Sequence, residues 1–496
     1  MQRRRFLQFS LWAAAALPSH YVLAARTGRA PDVDAVTGNG QQISLRGSDL
    51  DELAGQLQGQ LLLAGDQGYD KARLLLNPSF DKHPALIAMP VNAADVQSAV
   101  TFAKAHALLL AVKCGGHSSS GQSSCDKGML IDLANLRGVR VDAEHRRAWV
   151  QGGSLLGQVD QACVAQGLVT PLGTVSHTGV GGLTLGGGFG RLARRYGLAI
   201  DNLVSVDVVT ADGRLVHASE QENADLFWGV RGGSGNFGVV TMFEFRLHPR
   251  PPQVIAGTIS FPFARAREVM GVWADYASVA SDDLYVDPSL VLPPAGAPGM
   301  VALEVCYSGP AADAEAALAP IRKLGKSDRD TLKTMDYLAV QRANDAGDSR
   351  AIASYMKSGF VTRLSGDLMT AIVDGIRPDP RRTTVLFFQH CGGASSRVPE
   401  TATAFAHRDA IANMMAVVAY PTVADPKDHI AATRSYWKGL EPFTRGFYVN
   451  DMAREVTAAE ISESFRGNYQ RLAALKAKYD PTNLFRLNAN VKPAQA

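Results

Sequence analysis

Along much of the chain, apolar residues fall either at helical spacing or in short unbroken runs. Ala94–His106 carries Val96, Val100, Phe102 and Ala103 on or near one face and predicts a helix. Leu155–Gln166 has the same character, with Ser154 placed to cap its start. Leu53–Leu63 mixes apolar and polar positions at helical spacing and predicts a third, short helix. Between these lie the compact apolar runs expected of strands: Leu108–Val112, Leu130–Leu133, Ala148–Gln151, Val204–Thr210 and Val239–Leu247. Helices and strands alternating in this way belong to α/β or α+β layers. Pro249, Pro251 and Pro252 punctuate the pattern. Beyond them, strands are expected near Val254–Phe261, Met300–Tyr307 and Thr384–His390, with helices at Ala264–Ala277 and Ala311–Leu324. The stretch from Pro293 to Gly299 reads as a loop.

Two glycine-dense segments interrupt this pattern. The first is Lys113-Cys114-Gly115-Gly116-His117-Ser118, with Gly121 shortly after. The second runs from Gly179 through Gly181, Gly182, Gly186, Gly187 and Gly188 to Gly190. Glycine lets backbone approach a ligand closely with its N–H groups exposed, and clustered N–H groups bind pyrophosphate. His117 adds a nucleophilic imidazole beside them. Such loops suggest a tightly held dinucleotide. A Rossmann fingerprint is disfavoured: Gly173–Thr178 is not a buried strand, and Gly186-Gly187-Gly188 would open a helix poorly, although Asp201 lies about twenty residues on.

The extremities and composition narrow the class. Arg3-Arg4-Arg5-Phe6-Leu7-Gln8 is a twin-arginine pattern, followed by an apolar stretch and small residues around Ala24 and Ala25. Residues 1–25 are therefore expected to be a twin-arginine signal peptide, cut before Ala25 or Arg26, giving a periplasmic or secreted protein. The three arginines of that segment account for the whole formal charge of +3, so charge gives no reason to expect nucleic acid. Of five cysteines, Cys114 and Cys125 are eleven apart and would be the pair for a disulfide, with two free thiols as the alternative. No CxxC or HExxH occurs, and no metal is expected.

The order of motifs resembles flavoenzymes with the vanillyl-alcohol-oxidase type of FAD domain, and among them the berberine-bridge-enzyme and 6-hydroxynicotine-oxidase branch. The matching residues begin with Asn77, Pro84–Pro90 and Asp95-Val96. They continue through the histidine loop, Leu130-Ile131-Asp132-Leu133, the second glycine run and Arg195-Tyr196-Gly197-Leu198. They end with Asp201-Asn202, Val208–Gly213, Asn223–Trp228, Arg231–Gly238 and the C-terminal Tyr479-Asp480-Pro481-Thr482-Asn483-Leu484-Phe485. The resemblance implies an α+β fold: a two-part FAD-binding domain over 26–250, an antiparallel-sheet substrate domain covered by helices over 251–445, and a segment over 446–496 returning to the first domain.

It also implies roles. His117 matches the histidine bonded to the flavin 8α carbon. The Gly-rich residues, with Cys114, Ser118, Asn236, Gly238, Val239 and Asn488, would hold FAD. A second, cysteine link is absent by motif counting, which puts Val175 at its place, so a single link is expected. Tyr448-Val449-Asn450 matches a Tyr-x-Asn motif facing the flavin, where Tyr448 would take the substrate proton or orient the group that does. Two departures stand out. Asp451 replaces the family's second aromatic, and Met414 and Ala416 fall where a base is often found. His177, Gln389, His390 and Asn413 are the remaining polar candidates for substrate contact. The reading is an exported FAD-linked oxidase that takes a hydride from a C–H next to an alcohol or amine, with O2 as acceptor and H2O2 as product. A same-fold dehydrogenase using a quinone or cytochrome, and a non-catalytic flavin- or ligand-binding protein, are the alternatives.

Overall fold

The computed structural model describes residues 28–251, 253–294, 297–345 and 350–495. The expected signal peptide lies outside the described residues. Three large sheets, beside two of two strands each, surround a shared cavity. A four-stranded sheet has the order Gln60–Leu63, Leu86–Met89, Met129–Asp132, Leu110–Lys113, with its last three strands parallel. Helices Gly47–Gln56 and Ala93–Ala105 bury Leu50, Leu53, Val96, Ala99 and Val100 in its core. A five-stranded antiparallel sheet follows, in the order Leu215–Ser219, Leu203–Val209, Val239–Arg246, Arg147–Gln151, Val139–Asp142.

The third sheet has eight strands, all antiparallel. Its main path is Arg329–Asp330, Val254–Pro262, Met300–Tyr307, Leu284–Leu292, Thr383–His390, Ala412–Pro421, Ile352–Val361, and the short Lys333–Met335 also pairs with Val254–Pro262. Helices Ala266–Ala277, Gly366–Gly375 and Pro426–Leu440 lie over one face, where Trp273, Leu368, Ile372, Trp437, Phe388 and Met414 form one core. The opposite face is free to line the cavity. This is the mixed α+β arrangement expected, with an antiparallel sheet backed by helices.

Two local expectations are corrected. The helix expected over Leu53–Leu63 ends at Gln56, and Gln60–Leu63 is a strand. Gly59 forces the break: a Cβ there would sit 2.0 Å from the Met89 carbonyl oxygen. Ser154 does not cap the next helix, whose N-cap is Leu155; its hydroxyl donates to the Gly138 carbonyl instead, at 3.3 Å. The second glycine run does contain a helix, Val180–Gly186. It stops where Gly187 and Gly188 turn to φ of 139° and 87°, conformations that only glycine adopts without strain.

The C-terminal motif has a structural task. Lys476, on helix Tyr469–Tyr479, is wholly buried with Asp480 at 2.7 Å. Its ammonium also donates to the carbonyls of Asn236 (2.7 Å) and Phe485 (2.8 Å), and Asp480 accepts from the N–H groups of Leu484 and Phe485. Asn236 donates to the Ala489 carbonyl and accepts from Val491 N–H, which pins the returning chain to the five-stranded layer. Asp480→Asn should therefore leave a buried ammonium without its counterion and cost about 3–5 kcal/mol. The urea unfolding midpoint of the variant measures this; a midpoint equal to that of the unmutated protein would refute the clamp.

Candidate active site

The two glycine loops meet back to back. A Cβ on Gly115 would lie 2.3 Å from the Gly179 nitrogen, and one on Gly179 would lie 2.3 Å from the Gly115 nitrogen. This contact sets His117 against His177, with Nε2 of the first 2.7 Å from Nδ1 of the second. Thr178 Oγ1 sits 3.3 Å from the other ring nitrogen of His117. Burial, reinforced by His177, pulls His117 down to about 4. At neutral pH its ring is uncharged and keeps a nucleophilic lone pair. A buried Lys113–Asp132 pair at 3.0 Å underlies the loop.

One cavity of about 1100 Å³ opens between the sheets. Cys114, Gly115, Gly116, His117, Ser118, Gly179, Gly181, Gly182, Gly238, Val239 and Asn488 line it, as expected of cofactor contacts; so do His177, Gln389, Tyr448 and Asn450. Among the described residues no lysine or arginine lines it. A dinucleotide fits this wall. A Cβ on Gly182 would meet nothing within 4 Å, so the backbone there faces open space. Gln122 Oε1, Ser123 Oγ and Asn488 Oδ1 are buried without protein partners at the same wall. These groups and the glycine backbone would hold the cofactor.

Other expected contacts lie elsewhere. Gly121 backs onto the Phe80 ring, and Gly190 onto the Leu172 carbonyl. Gly186 backs onto Asn450, and Gly187 onto Phe405 and Tyr448. Gly188 donates its N–H to the Tyr448 hydroxyl, and Asn236 is the C-terminal clamp. These six are needed for close packing behind the wall rather than on it. His390 is also displaced from the cavity: it is buried, with Nε2 2.8 Å from the Ala277 carbonyl and 3.1 Å from an Arg194 nitrogen. The reason is strand alternation. Val385, Phe387 and Gln389 face the cavity, so His390 faces the helices. The same parity corrects the neighbouring strand. Met414 and Ala416 are core residues under the helices, and Met415 faces the cavity. Asn413 shares the parity of Met415 and lies just behind the wall, fully buried.

Tyr448 is anchored by the glycine run. Its oxygen accepts from Gly188 N–H and from Asn450 Nδ2, both at 2.8 Å, which occupies both lone pairs. Burial pushes the phenol well above the neutral range. Of the two roles expected of it, accepting a proton needs the phenolate that burial disfavours, whereas orienting neighbouring groups has a visible basis. Asn450 Nδ2 also donates to the Leu183 carbonyl, and Ser119 donates to the carbonyls of Asn450 and Met452. The Tyr-Val-Asn segment is thus tied to both glycine loops.

The sequence reading missed three cavity carboxyls, which come from separate parts of the chain. Glu304 pairs with Arg191 at 2.6 Å. Asp287 accepts from His390 N–H at 2.8 Å and from the Tyr285 hydroxyl; burial, with Glu304 adding, raises it well above the usual range. Asp451, noted in the sequence only as a departure, accepts from Asn413 at 2.8 Å, and burial lifts it to about 6. All five cysteines are free, so of the two readings for Cys114 and Cys125 the structure has the free thiols. Cys114 turns its thiol toward the Ser154 carbonyl at 3.6 Å, and burial holds it protonated, up at about 11. The residue that meets His117 across the loops is His177 rather than Val175, although Val175 also lines the cavity.

Comparison with known proteins agrees with this architecture. Residues 84–219 match the FAD binding domain family, and residues 456–492 match the family described as berberine and berberine like. An FAD-linked oxidoreductase of Dictyostelium discoideum is 31% identical over 415 residues, covering 83% of this chain and 89% of its own. The (R)-6-hydroxynicotine oxidase of Paenarthrobacter nicotinovorans is 30% identical, over 88% of this chain and 97% of its own. The crystal structure of 6-hydroxy-D-nicotine oxidase from Arthrobacter nicotinovorans superposes with a TM-score of 0.81 at 28% identity, covering 88% of this chain and 98% of that one. The fold and cavity define a flavoenzyme of the vanillyl-alcohol-oxidase type. Within that class, the chain belongs to the berberine-bridge-like FAD-linked oxidases.

The loop contact yields a test. Gly179→Ala should part the two loops and lower flavin retention by about 10–100-fold, the worth of 1–3 kcal/mol of overpacking. The ratio of flavin to protein absorbance after purification reads it. Gly235→Ala, on the same wall with only Asn488 Nδ2 within 4 Å of its Cβ, at 3.9 Å, is the comparison and should lose less. Equal retention in both would refute the contact.

Proposed function

We propose that this protein is an exported oxidase that carries FAD on His117 and oxidises a C–H bond next to an alcohol or amine, with O2 as electron acceptor. The observation that carries the reading is the cavity itself. A Cβ-free wall with an uncharged histidine occupies one end, and polar side chains from the eight-stranded sheet face it from the other. Bound FAD would supply the hydride acceptor. His117, neutral and held by His177 and Thr178, is suited to form the tether; no thiol is turned toward it, which supports a single link. Tyr448 and Asn450 hold the glycine run in place from the substrate side.

Charge narrows the donor. With no lysine or arginine lining the cavity among the described residues, an anionic donor has no counterion there, whereas Asp451 tolerates a neutral or cationic one. Related enzymes include oxidases named for 6-hydroxynicotine and for xylooligosaccharides, which act on an amine-bearing and a neutral substrate class respectively. An alcohol or amine donor without acidic groups follows. Export rests on the sequence at Arg3-Arg4-Arg5 and the apolar stretch behind it.

Three outcomes test this. In an anaerobic screen, uncharged alcohols or amines should bleach the flavin of the purified holoprotein, and admitting air should restore colour with release of H2O2. Reduced flavin that persists in air would favour the dehydrogenase, and no bleaching by any donor would favour a binding protein. After acid precipitation the flavin should stay with the protein, and His117→Ala should release it to the supernatant; flavin that is extractable from the unmutated protein would remove the tether. Arg3→Lys with Arg4→Lys should retain the precursor in the cytoplasm, and unchanged export of that double variant would point to another route.

A further inference from the structure

Asp451 is the unused group at this site. It stands at the end of the one-turn helix Val449–Asp451, with its own N–H on the Tyr448 carbonyl at 2.8 Å and its carbonyl accepting from Ser358 at 3.1 Å. The backbone is therefore held on both sides. Its Oδ2 accepts from Asn413 Nδ2 at 2.8 Å, and the same nitrogen donates to Gln389 Oε1 at 2.9 Å. Asn413 is completely buried; both of its N–H groups are committed, and its Oδ1 has no hydrogen-bond partner among the described residues. It thus fixes two cavity-lining side chains at once. Gln389 has its oxygen engaged and its NH2 left to donate; Asp451 has one oxygen engaged and Oδ1 without a hydrogen bond among the described residues.

Among the described residues no cation balances this carboxylate. Asn413, Gln389 and Ser358 face it from three strands and are neutral. Tyr448, on its own turn, is protonated, and Lys357, next to Ser358, is turned toward Glu460 at 3.9 Å. Burial is the dominant influence on Asp451 and raises it to about 6; the Asn413 bond works the other way. A carboxylate desolvated without a counterion is a cost to the fold, and a group poised just below neutrality beside a cavity suits proton transfer.

We propose that Asp451 is the catalytic base of this oxidase, receiving the O–H or N–H proton of the donor while Gln389 holds the donor's heteroatom. This rests on the oxidase reading above. As the donor's heteroatom–hydrogen bond breaks, its proton passes to Asp451 Oδ1. Bound FAD would supply the acceptor for the hydrogen on the adjacent carbon with its electron pair, as the C=O or C=N double bond forms. Reoxidation delivers those two electrons to O2, which with two protons becomes H2O2; Asp451 is left free to return its proton to solvent. An alcohol or amine is thereby converted without a lining cation and without a phenolate at Tyr448.

The test uses the holoprotein and whichever donor bleaches it in the anaerobic screen. For the unmutated protein, flavin reduction followed by stopped flow should fall on the acid side with a midpoint near 6. Asp451→Asn keeps the size and should slow reduction by about 10²–10⁴-fold and abolish that limb, with reoxidation by O2 unchanged. Infrared titration without donor should show a protonated-carboxyl band with a midpoint near 6 that Asp451→Asn lacks. Asn413→Ala removes the bond that favours the ionised form, so its limb should move to higher pH; this variant decides the matter if Asp451→Asn does not load flavin. If the unmutated protein bleaches but Asp451→Asn bleaches as fast, or the Asn413→Ala limb stays in place, Asp451 is not the base and the oxidase reading survives. If no alcohol or amine bleaches the unmutated protein, the oxidase reading fails and takes this proposal with it.

Discussion

Everything at the site hangs on a contact that no side chain makes. Gly115 and Gly179 press backbone against backbone so closely that a Cβ on either would overlap the other's nitrogen. That approach joins segments more than sixty residues apart. It places His117 on His177 and brings both loops to one wall of the cavity, where Gly182 faces open space. From there the constraint spreads: Ser119 ties the first loop to the Tyr448–Met452 segment, and Gly188 ties the second to the Tyr448 hydroxyl. One compact core of glycine backbone therefore sets the positions of His117, the Tyr448 phenol and the Asp451 carboxylate behind it.

The electrostatic consequence is unusual for a dinucleotide site. FAD brings negative charge, yet among the described residues no lysine or arginine lines the cavity. Backbone N–H groups and neutral side chains must take that role, as nests of main-chain donors do elsewhere. Lys113 and Lys476 are nearby in sequence terms but are consumed within the scaffold by Asp132 and Asp480. With no lining cation among the described residues, the site's acid–base character is set mainly by burial, which lowers His117 and raises Asp451. Both shifts have desolvation as their first cause, so any change that wets the cavity would move both groups back toward their ordinary values.

How much of this was legible in the sequence depended on what each signal encodes. Glycine density and the position of His117 were readable because close backbone approach demands glycine and a lone imidazole in such a loop is conspicuous. Apolar runs located most strands of the first two sheets. Facing was harder. A strand reverses the side it presents at every residue, and the sequence near 389–390 and 413–416 carries no mark of which parity meets the cavity. A shift of one residue put His390 and Met414 in view in place of Met415, and left Asn413 unpartnered, although it supports both Gln389 and Asp451. Glycines required for packing also look identical to glycines required for a ligand; Gly121 and Gly190 were of the first kind. Asp451 was seen as a departure from a pattern, but it is held by Asn413, thirty-eight residues earlier in the chain, and no local motif records that pairing.

The most direct test of the central claim, that the glycine-walled cavity holds FAD with its reactive ring toward the eight-stranded sheet, is a crystal structure of the flavin-loaded protein. Density for the dinucleotide should run along Gly115–Ser118, Gly179–Gly182 and Gly238–Val239, continuous with the His117 ring, and the flavin ring should face Gln389 and Asp451. Flavin bound at any other surface, or lying with Gln389 and Asp451 out of reach of its ring, would contradict it.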